Sequence, residues 1–97
     1  MATQYAVIFD LNTNCVNECY EGNGYYGAYK EIKEFMISNG FSWAQGGVYF
    51  GDETMNAVKC ILTIQALAKK FPWFSTCVKD IRMLRIEENS DLLPAIR

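Results

Sequence analysis

Histidine is absent from the chain. This absence excludes serine–histidine and cysteine–histidine nucleophile pairs, two-histidine acid–base pairs and histidine-ligated zinc. Any catalysis must therefore depend on carboxylates, hydroxyls, thiols, lysine, arginine or a metal ion. The missing residue type narrows the available chemistry more than any single residue that is present.

An excess of positive charge is also absent, since 9 lysines and arginines face 11 aspartates and glutamates. Non-specific coating of nucleic acid is therefore disfavoured, because it needs a broad basic field, although a locally basic groove stays open. No apolar run approaches the ~18–20 residues of a membrane span. Residues 1–4 carry no basic residue of the kind that starts a secretory signal. We therefore expect a cytoplasmic protein that does not contact membranes.

The 97 residues are enough for one domain, which we place at 1–97. The four cysteines show no paired framework, so we predict reduced thiols. Cys15 and Cys19 have three residues between them and no second matching pair follows, which disfavours a zinc site.

Hydrophobic periodicity predicts two helices and four strands, separated by glycine, asparagine and proline. Gly40 is the predicted stop of the first helix, Asp52 the predicted cap of the second, and Pro72 its predicted end. Gly46 and Gly47, which permit positive φ, predict a hairpin between the second and third strands. The strands are predicted at 5–9, 41–44, 48–50 and 77–86, the helices at 25–36 and 57–71, a loop at 11–24 and a short extension after 89.

The order β-α-β-β-α-β predicts an α+β, ferredoxin-like fold. Right-handed crossovers then give an antiparallel sheet of order 4-1-3-2. In that sheet the end of strand 1 meets the starts of strands 3 and 4. Asp10, Gly47 and Asp80 are therefore expected to converge at one edge.

Two carboxylates brought together suit phosphodiester chemistry, either as an acid/base pair or by recruiting a divalent cation. A structural alternative stands beside this hypothesis. Asp10 could cap the turn that follows it, and Asp80 could pair with Arg82, its same-face neighbour.

Other polar and aromatic residues near this edge also have one functional and one structural interpretation each. Lys79 and Arg82 on the last strand could hold an RNA backbone, or simply solvate an exposed face. Tyr49 could line the site and stack a base, or pack as an ordinary strand residue.

Four blocks of the sequence resemble the virulence-associated protein D (VapD) family. They are AVIFDL at 6–11, GFSWAQGGVY at 40–49, WF at 73–74 followed by VKDIR at 78–82, and EENSD at 87–91. The resemblance implies a ferredoxin-like homodimer, related to the small CRISPR-associated adaptation nucleases, with endoribonuclease activity and a bacterial toxin role. The family's two aspartates fall on Asp10 and Asp80.

One departure from the family pattern is Gly47, where a serine is expected beside the site. Thr13 or Ser42 could replace the missing hydroxyl. The favoured function is an endoribonuclease that cleaves mRNA, as a toxin with a small antitoxin protein; Asp10 could hold a divalent cation such as Mg²⁺, and no organic cofactor is expected. The alternative is a nucleic-acid-binding or protein-interaction module without cleavage, and a small-molecule sensor is the least favoured.

Overall fold

A computed structural model describes residues 3–22 and 24–97 of the chain. Met1 and Ala2, on which the signal prediction partly rests, and Asn23 of the predicted loop lie outside the described residues. The elements are β1 (Gln4–Leu11), α1 (Thr13–Cys19), α2 (Gly24–Ser38), β2 (Phe41–Gln45), β3 (Val48–Gly51), α3 (Ala57–Lys70), α4 (Pro72–Cys77), β4 (Val78–Ile86) and α5 (Leu93–Ile96).

The four strands form one antiparallel sheet in the order β2-β3-β1-β4. This is the predicted order, counted from the opposite edge. β1 lies inside the sheet and pairs with β3 on one side and β4 on the other. The arrangement is α+β and compatible with a ferredoxin-like fold, to which α1, α4 and α5 are added.

The core lies between one face of the sheet and the helices. Side chains alternate along a strand, so Val7, Phe9 and Leu11 of β1 point towards the helices and are buried. α2 and α3 each bury one apolar stripe against this face; the stripes are Ala28, Ile32 and Met36, and Cys60 and Leu67. Among the described helices none is long and apolar enough to cross a membrane. The other face, which carries Ile8 and Asp10, is here called the open face.

Two glycine predictions are confirmed. Gly40 ends α2 with a φ of 91°, a conformation in which a residue with a Cβ is strained. Gly46 has a φ of 46° in the turn between β2 and β3, as the predicted hairpin requires.

The predicted loop after β1 is wrong, because a helix occupies half of it. Asn12 caps α1 by accepting a hydrogen bond from the N–H of Cys15 at 2.9 Å. Val16, which is fully buried, anchors the helix to the core. A seven-residue helix with one buried residue leaves no periodic pattern to detect.

The predicted cap at Asp52 is also wrong. Its carboxylate accepts hydrogen bonds from the backbone N–H and the hydroxyl of Thr54, within a turn. α3 begins later and is capped by Asn56, which accepts from the N–H of Lys59 at 2.8 Å. Pro72 does end α3, but it also starts α4, because proline fits the first turn of a helix. The last strand therefore starts at Val78, one residue later than predicted.

The prediction of four reduced thiols is wrong, because Cys15 and Cys77 form a disulfide. Cys19 and Cys60 are free. The bond joins α1, which follows β1, to the last residue of α4, which precedes β4. Its partners are 62 positions apart, and only the fold brings them together.

We expect Cys15→Ser to lower the free energy of unfolding by about 4 kcal/mol, since the disulfide closes a long loop in the unfolded chain. Cys19→Ser is the matched control, because Cys19 lies on the same helix, is exposed and is free; its effect should stay within ~0.5 kcal/mol. Urea unfolding of both variants under non-reducing conditions measures the difference. Equal midpoints would contradict a stabilising disulfide.

Candidate active site at the end of β1

Asp10 and Asp80 stand directly opposite each other on the paired strands β1 and β4. Directly opposite residues share a face of the sheet, with Cβ atoms about 4.5–5.5 Å apart. Their side chains are 66% and 54% exposed. The predicted convergence of the two aspartates is therefore present, on the open face, where a substrate can reach both.

Each aspartate contacts a basic residue of β4. Lys79 Nζ lies 3.6 Å from Asp10 Oδ2. Arg82 Nε donates to both carboxylate oxygens of Asp80, at 3.0 and 3.3 Å. The register shifts between Asp10 and Leu11, and this irregularity leaves Lys79 beside Asp10 rather than in the ladder.

These contacts bear on the alternatives for the site. The pairing of Asp80 with Arg82 is present, as the structural alternative held. The capping role that the structural alternative gave to Asp10 is not observed, because Asn12 caps the helix that follows. Exposed ion pairs contribute only ~0–1 kcal/mol, so Lys79 and Arg82 can exchange a carboxylate for a phosphate at little cost.

Gly47 packs against the β1 backbone at the same end of the sheet. Its carbonyl accepts the N–H of Phe9 at 3.0 Å. A Cβ built on Gly47 would overlap the carbonyl oxygen of Phe9 and lie 3.1 Å from its carbonyl carbon. Glycine is therefore required here by a close approach of two backbones, although its φ is not positive. The family's serine does not fit this hairpin without movement of the backbone.

Tyr49 is buried in the core and does not line an accessible surface. Its ring stacks on Phe9 with centroids 6.0 Å apart. Burial raises the pKa of Tyr49 to about 12, and its hydroxyl has no hydrogen-bond partner among residues 3–22 and 24–97. Of the two interpretations of Tyr49, the structure therefore agrees with packing, because the side chain is fully buried and no base can reach its ring.

Two groups of side chains near this edge carry atoms that can bind a metal ion, and they differ in the ion that they suit. Asp10 and Asp80 supply two exposed carboxylates, which suits Mg²⁺, since that ion keeps several waters and takes few protein ligands. Within the described part of the chain, the sulfurs of Cys15, Cys19 and Cys77 lie within 4.8 Å of one another. Two of these sulfurs form the disulfide, which leaves one thiol.

A cavity borders the same end of the sheet on the helix side. Its lining contains four aromatic side chains and two lysines, with Gly46 at the hairpin turn. Tyr25, Tyr29 and Lys30 lie on α2. The sequence gave no sign that they surround one cavity, because their partner Trp43 comes from β2.

The fold and site together define a small α+β protein with opposed carboxylates and adjacent cations at the open end of an antiparallel sheet. No family model matches the chain. It is 64% identical over 92 residues to Endoribonuclease VapD 2 of Riemerella anatipestifer, covering 95% of this chain and 98% of that protein. An Endoribonuclease VapD homolog of Helicobacter pylori is 58% identical over 93 residues, 96% of each chain. Endoribonuclease VapD of Dichelobacter nodosus is 33% identical over 93 residues, 96% of this chain and 97% of that one.

The chain belongs to the VapD family. The resemblance that the four sequence blocks indicated is thereby confirmed across nearly the whole length.

We expect Gly47→Ser to destabilise the protein by about 1–3 kcal/mol, the usual effect of atoms forced into a packed position. No gain in RNA cleavage should accompany the loss. The matched control is Ala44→Ser, which introduces the same side chain at an exposed position of the same hairpin. Thermal unfolding and a cleavage assay on both variants check this. A stable Gly47→Ser protein with faster cleavage would show that the family hydroxyl can be restored.

Proposed function

We propose that this protein is an endoribonuclease that cleaves mRNA at the Asp10–Asp80 pair. The observation that carries the proposal is the cross-strand opposition of two exposed carboxylates, each beside a cation. Its relatives' names supply the reaction class. The absence of histidine supports the same assignment, because the acid and base of the reaction must then come from other groups.

The arrangement suits attack on a phosphodiester. Lys79 and Arg82 would bind the non-bridging phosphate oxygens, which releases the aspartates from their ion pairs. The attacking hydroxyl oxygen would bond to phosphorus as the bond from phosphorus to the departing oxygen breaks. One aspartate, as the carboxylate, would take the proton of the attacking hydroxyl, and the other, as the carboxylic acid, would give a proton to the departing oxygen. Groups in these positions typically contribute 10²–10⁴-fold each.

A divalent cation would be held by Asp10, with Asp80 as the second carboxylate. Such an ion would polarise the phosphate and neutralise the charge that develops on it. Addition of excess EDTA, followed by restoration with Mg²⁺, decides whether the cation is required.

A toxin role with a small antitoxin partner is the biological context of this proposal. An exposed apolar stripe on α3, formed by Val58, Ile61 and Leu62, supports it as a surface that a small protein could cover. A short companion reading frame beside the gene is the simplest observation to seek.

We also propose a homodimer formed through β4 and the C-terminal residues. β4 is an edge strand, and exposed edges are normally paired or covered. Leu84 of β4, and Leu92 and Ile96 of the C-terminal residues, are apolar and exposed. Both features support an interface there.

We expect Asp10→Asn to lower single-turnover cleavage of labelled RNA ~10²-fold or more with unchanged folding, since the amide keeps the shape and loses the charge and the proton. Asp80→Asn should behave similarly, and the double variant should lose little beyond either single one, because groups that act as a unit are non-additive.

The matched control for these variants is Glu53→Gln, an equally conservative change of an exposed acid beyond the opposite end of β3. It should leave cleavage unchanged. Full activity in a well-folded Asp10→Asn protein would end the catalytic assignment of the pair.

Sedimentation velocity at micromolar concentration should give a species of twice the 11.1 kDa chain mass. Ile96→Asp should shift it towards the monomer, because a charge would enter the apolar interface. Ile37→Asp places the same charge at an exposed residue of α2, which packs on β2 at the opposite edge of the sheet from β4, and should leave the dimer intact. A wild-type protein found only as the 11.1 kDa species contradicts the homodimer.

A further inference from the structure

The cavity between the start of α2 and strand β2 has a lining that suits a nucleotide. Its volume is about 460 Å³, within the ~300–1,000 Å³ range of small-ligand sites. Tyr26 is 88% exposed and Trp43 is 45% exposed, so aromatic surface is accessible. The complete lining is Tyr25, Tyr26, Tyr29, Lys30, Lys33, Trp43 and Gly46.

The charge of the lining is positive in a chain whose net charge is −2. Lys30 and Lys33 contribute the cations, and within the described residues no carboxylate lines the cavity. Glu31 and Glu34, which alternate with these lysines along α2, line a groove with Phe35 and Phe71 instead. The helix thus separates its charges, and the side that faces the cavity attracts anions.

The aromatic platform is held in place before any ligand binds. The indole Nε1 of Trp43 donates to the carbonyl of Gly46 at 3.0 Å. Lys33 Nζ lies 4.0 Å from the centroid of the Trp43 ring, and the Tyr25 hydroxyl donates to that of Tyr29 at 3.1 Å. Fixed rings lose little conformational freedom on binding, which favours affinity.

The cavity and the aspartate pair share the end of β1. Tyr29 stacks on Phe9, the residue before Asp10, with ring centroids 5.9 Å apart. The backbone N–H of Phe9 also donates a hydrogen bond to the carbonyl of Gly47, the neighbour of Gly46. The cavity and the aspartates therefore adjoin the same end of β1, the cavity on the helix side of the sheet and the aspartates on its open face.

Stacking on aromatic rings together with lysine–phosphate contacts is how proteins hold unpaired nucleotides. We propose that this cavity is a nucleobase subsite, in which an unpaired RNA base next to the cleaved phosphate stacks on Trp43 and Tyr26. Lys30 and Lys33 contact the flanking phosphates. The subsite rests on the proposed endoribonuclease function and specifies its substrate as single-stranded.

Binding rather than cleavage tests the subsite, so that its failure is distinct from failure of the catalytic assignment. The protein is the full chain with Asp10→Asn, Asp80→Asn and Trp73→Phe, which leaves Trp43 as the fluorescent tryptophan. The probe is a short single-stranded RNA, and the same RNA annealed to its complement is the comparison. Quenching of Trp43 by the single strand, with at least tenfold weaker binding of the duplex, is the expected result.

Substitutions then locate the binding by a direct measurement that needs no tryptophan signal, such as anisotropy of labelled RNA. Tyr26→Ala and Trp43→Ala should each weaken binding about tenfold, the scale of one lost base stack. Trp43→Phe should restore most of the affinity, since it keeps a ring. Tyr26→Ala removes a surface side chain, so it remains informative even where Trp43→Ala unfolds the hairpin.

The lysines have their own matched control. Lys33→Gln should reduce the dependence of log K on log salt by about 0.7, as expected for one lost contact to a single strand. Lys69→Gln, on α3, should leave that slope unchanged. The subsite is overturned by native affinity in a folded Tyr26→Ala protein, and equally by native affinity in a folded Trp43→Ala protein. Equal binding of duplex RNA also overturns it. So does a result in which only substitution of Lys79 and Arg82 abolishes RNA binding. Both outcomes count against the subsite whether or not Asp10 is catalytic.

Discussion

The pairing of β1 with β4 is the constraint on which the rest of this molecule depends. It runs from Gln4 opposite Ile86 to Leu11 opposite Val78, with one irregularity after Asp10. The pairing makes β1 an interior strand and fixes which side chains face the helices. It also places two aspartates, 70 positions apart in the chain, directly opposite each other. A shift of one residue would move every side chain of one strand to the other face.

Topology was the part of the structure that the sequence predicted well. Period-two and period-3.6 patterns located the four strands and the two long helices, and the handedness of crossovers then gave the strand order. The opposition of Asp10 and Asp80 followed from that order without any knowledge of the family. Local conformation at Gly40 and Gly46 was also predictable, since both occupy left-handed backbone that glycine adopts at no steric cost.

What the sequence could not predict depended on tertiary contacts. α1 has one buried residue, so no periodicity marks it; the asparagine at position 12 was the available sign, as a helix cap followed by a short run. The disulfide depends on the register of β1 and β4, which spacing along the chain does not encode. Gly47 looked like a lost hydroxyl, whereas a neighbouring backbone excludes a Cβ there. Tyr49 lies beside the site in sequence, yet strand alternation directs its ring into the core.

The disulfide between Cys15 and Cys77 also sets the mechanics of the chain. The bond closes a covalent loop over residues 15–77, which β1 precedes and β4 follows. The ends of the two strands that lie far from this loop pair at Gln4 and Ile86. A force applied to the two ends of the chain would therefore break the hydrogen bonds between these strands one pair after another, starting at Gln4 and Ile86. The covalent bond stops the extension just beyond Asp10 and Asp80. The aspartates are thus among the last residues to separate, and thermal fraying from the same end reaches them last.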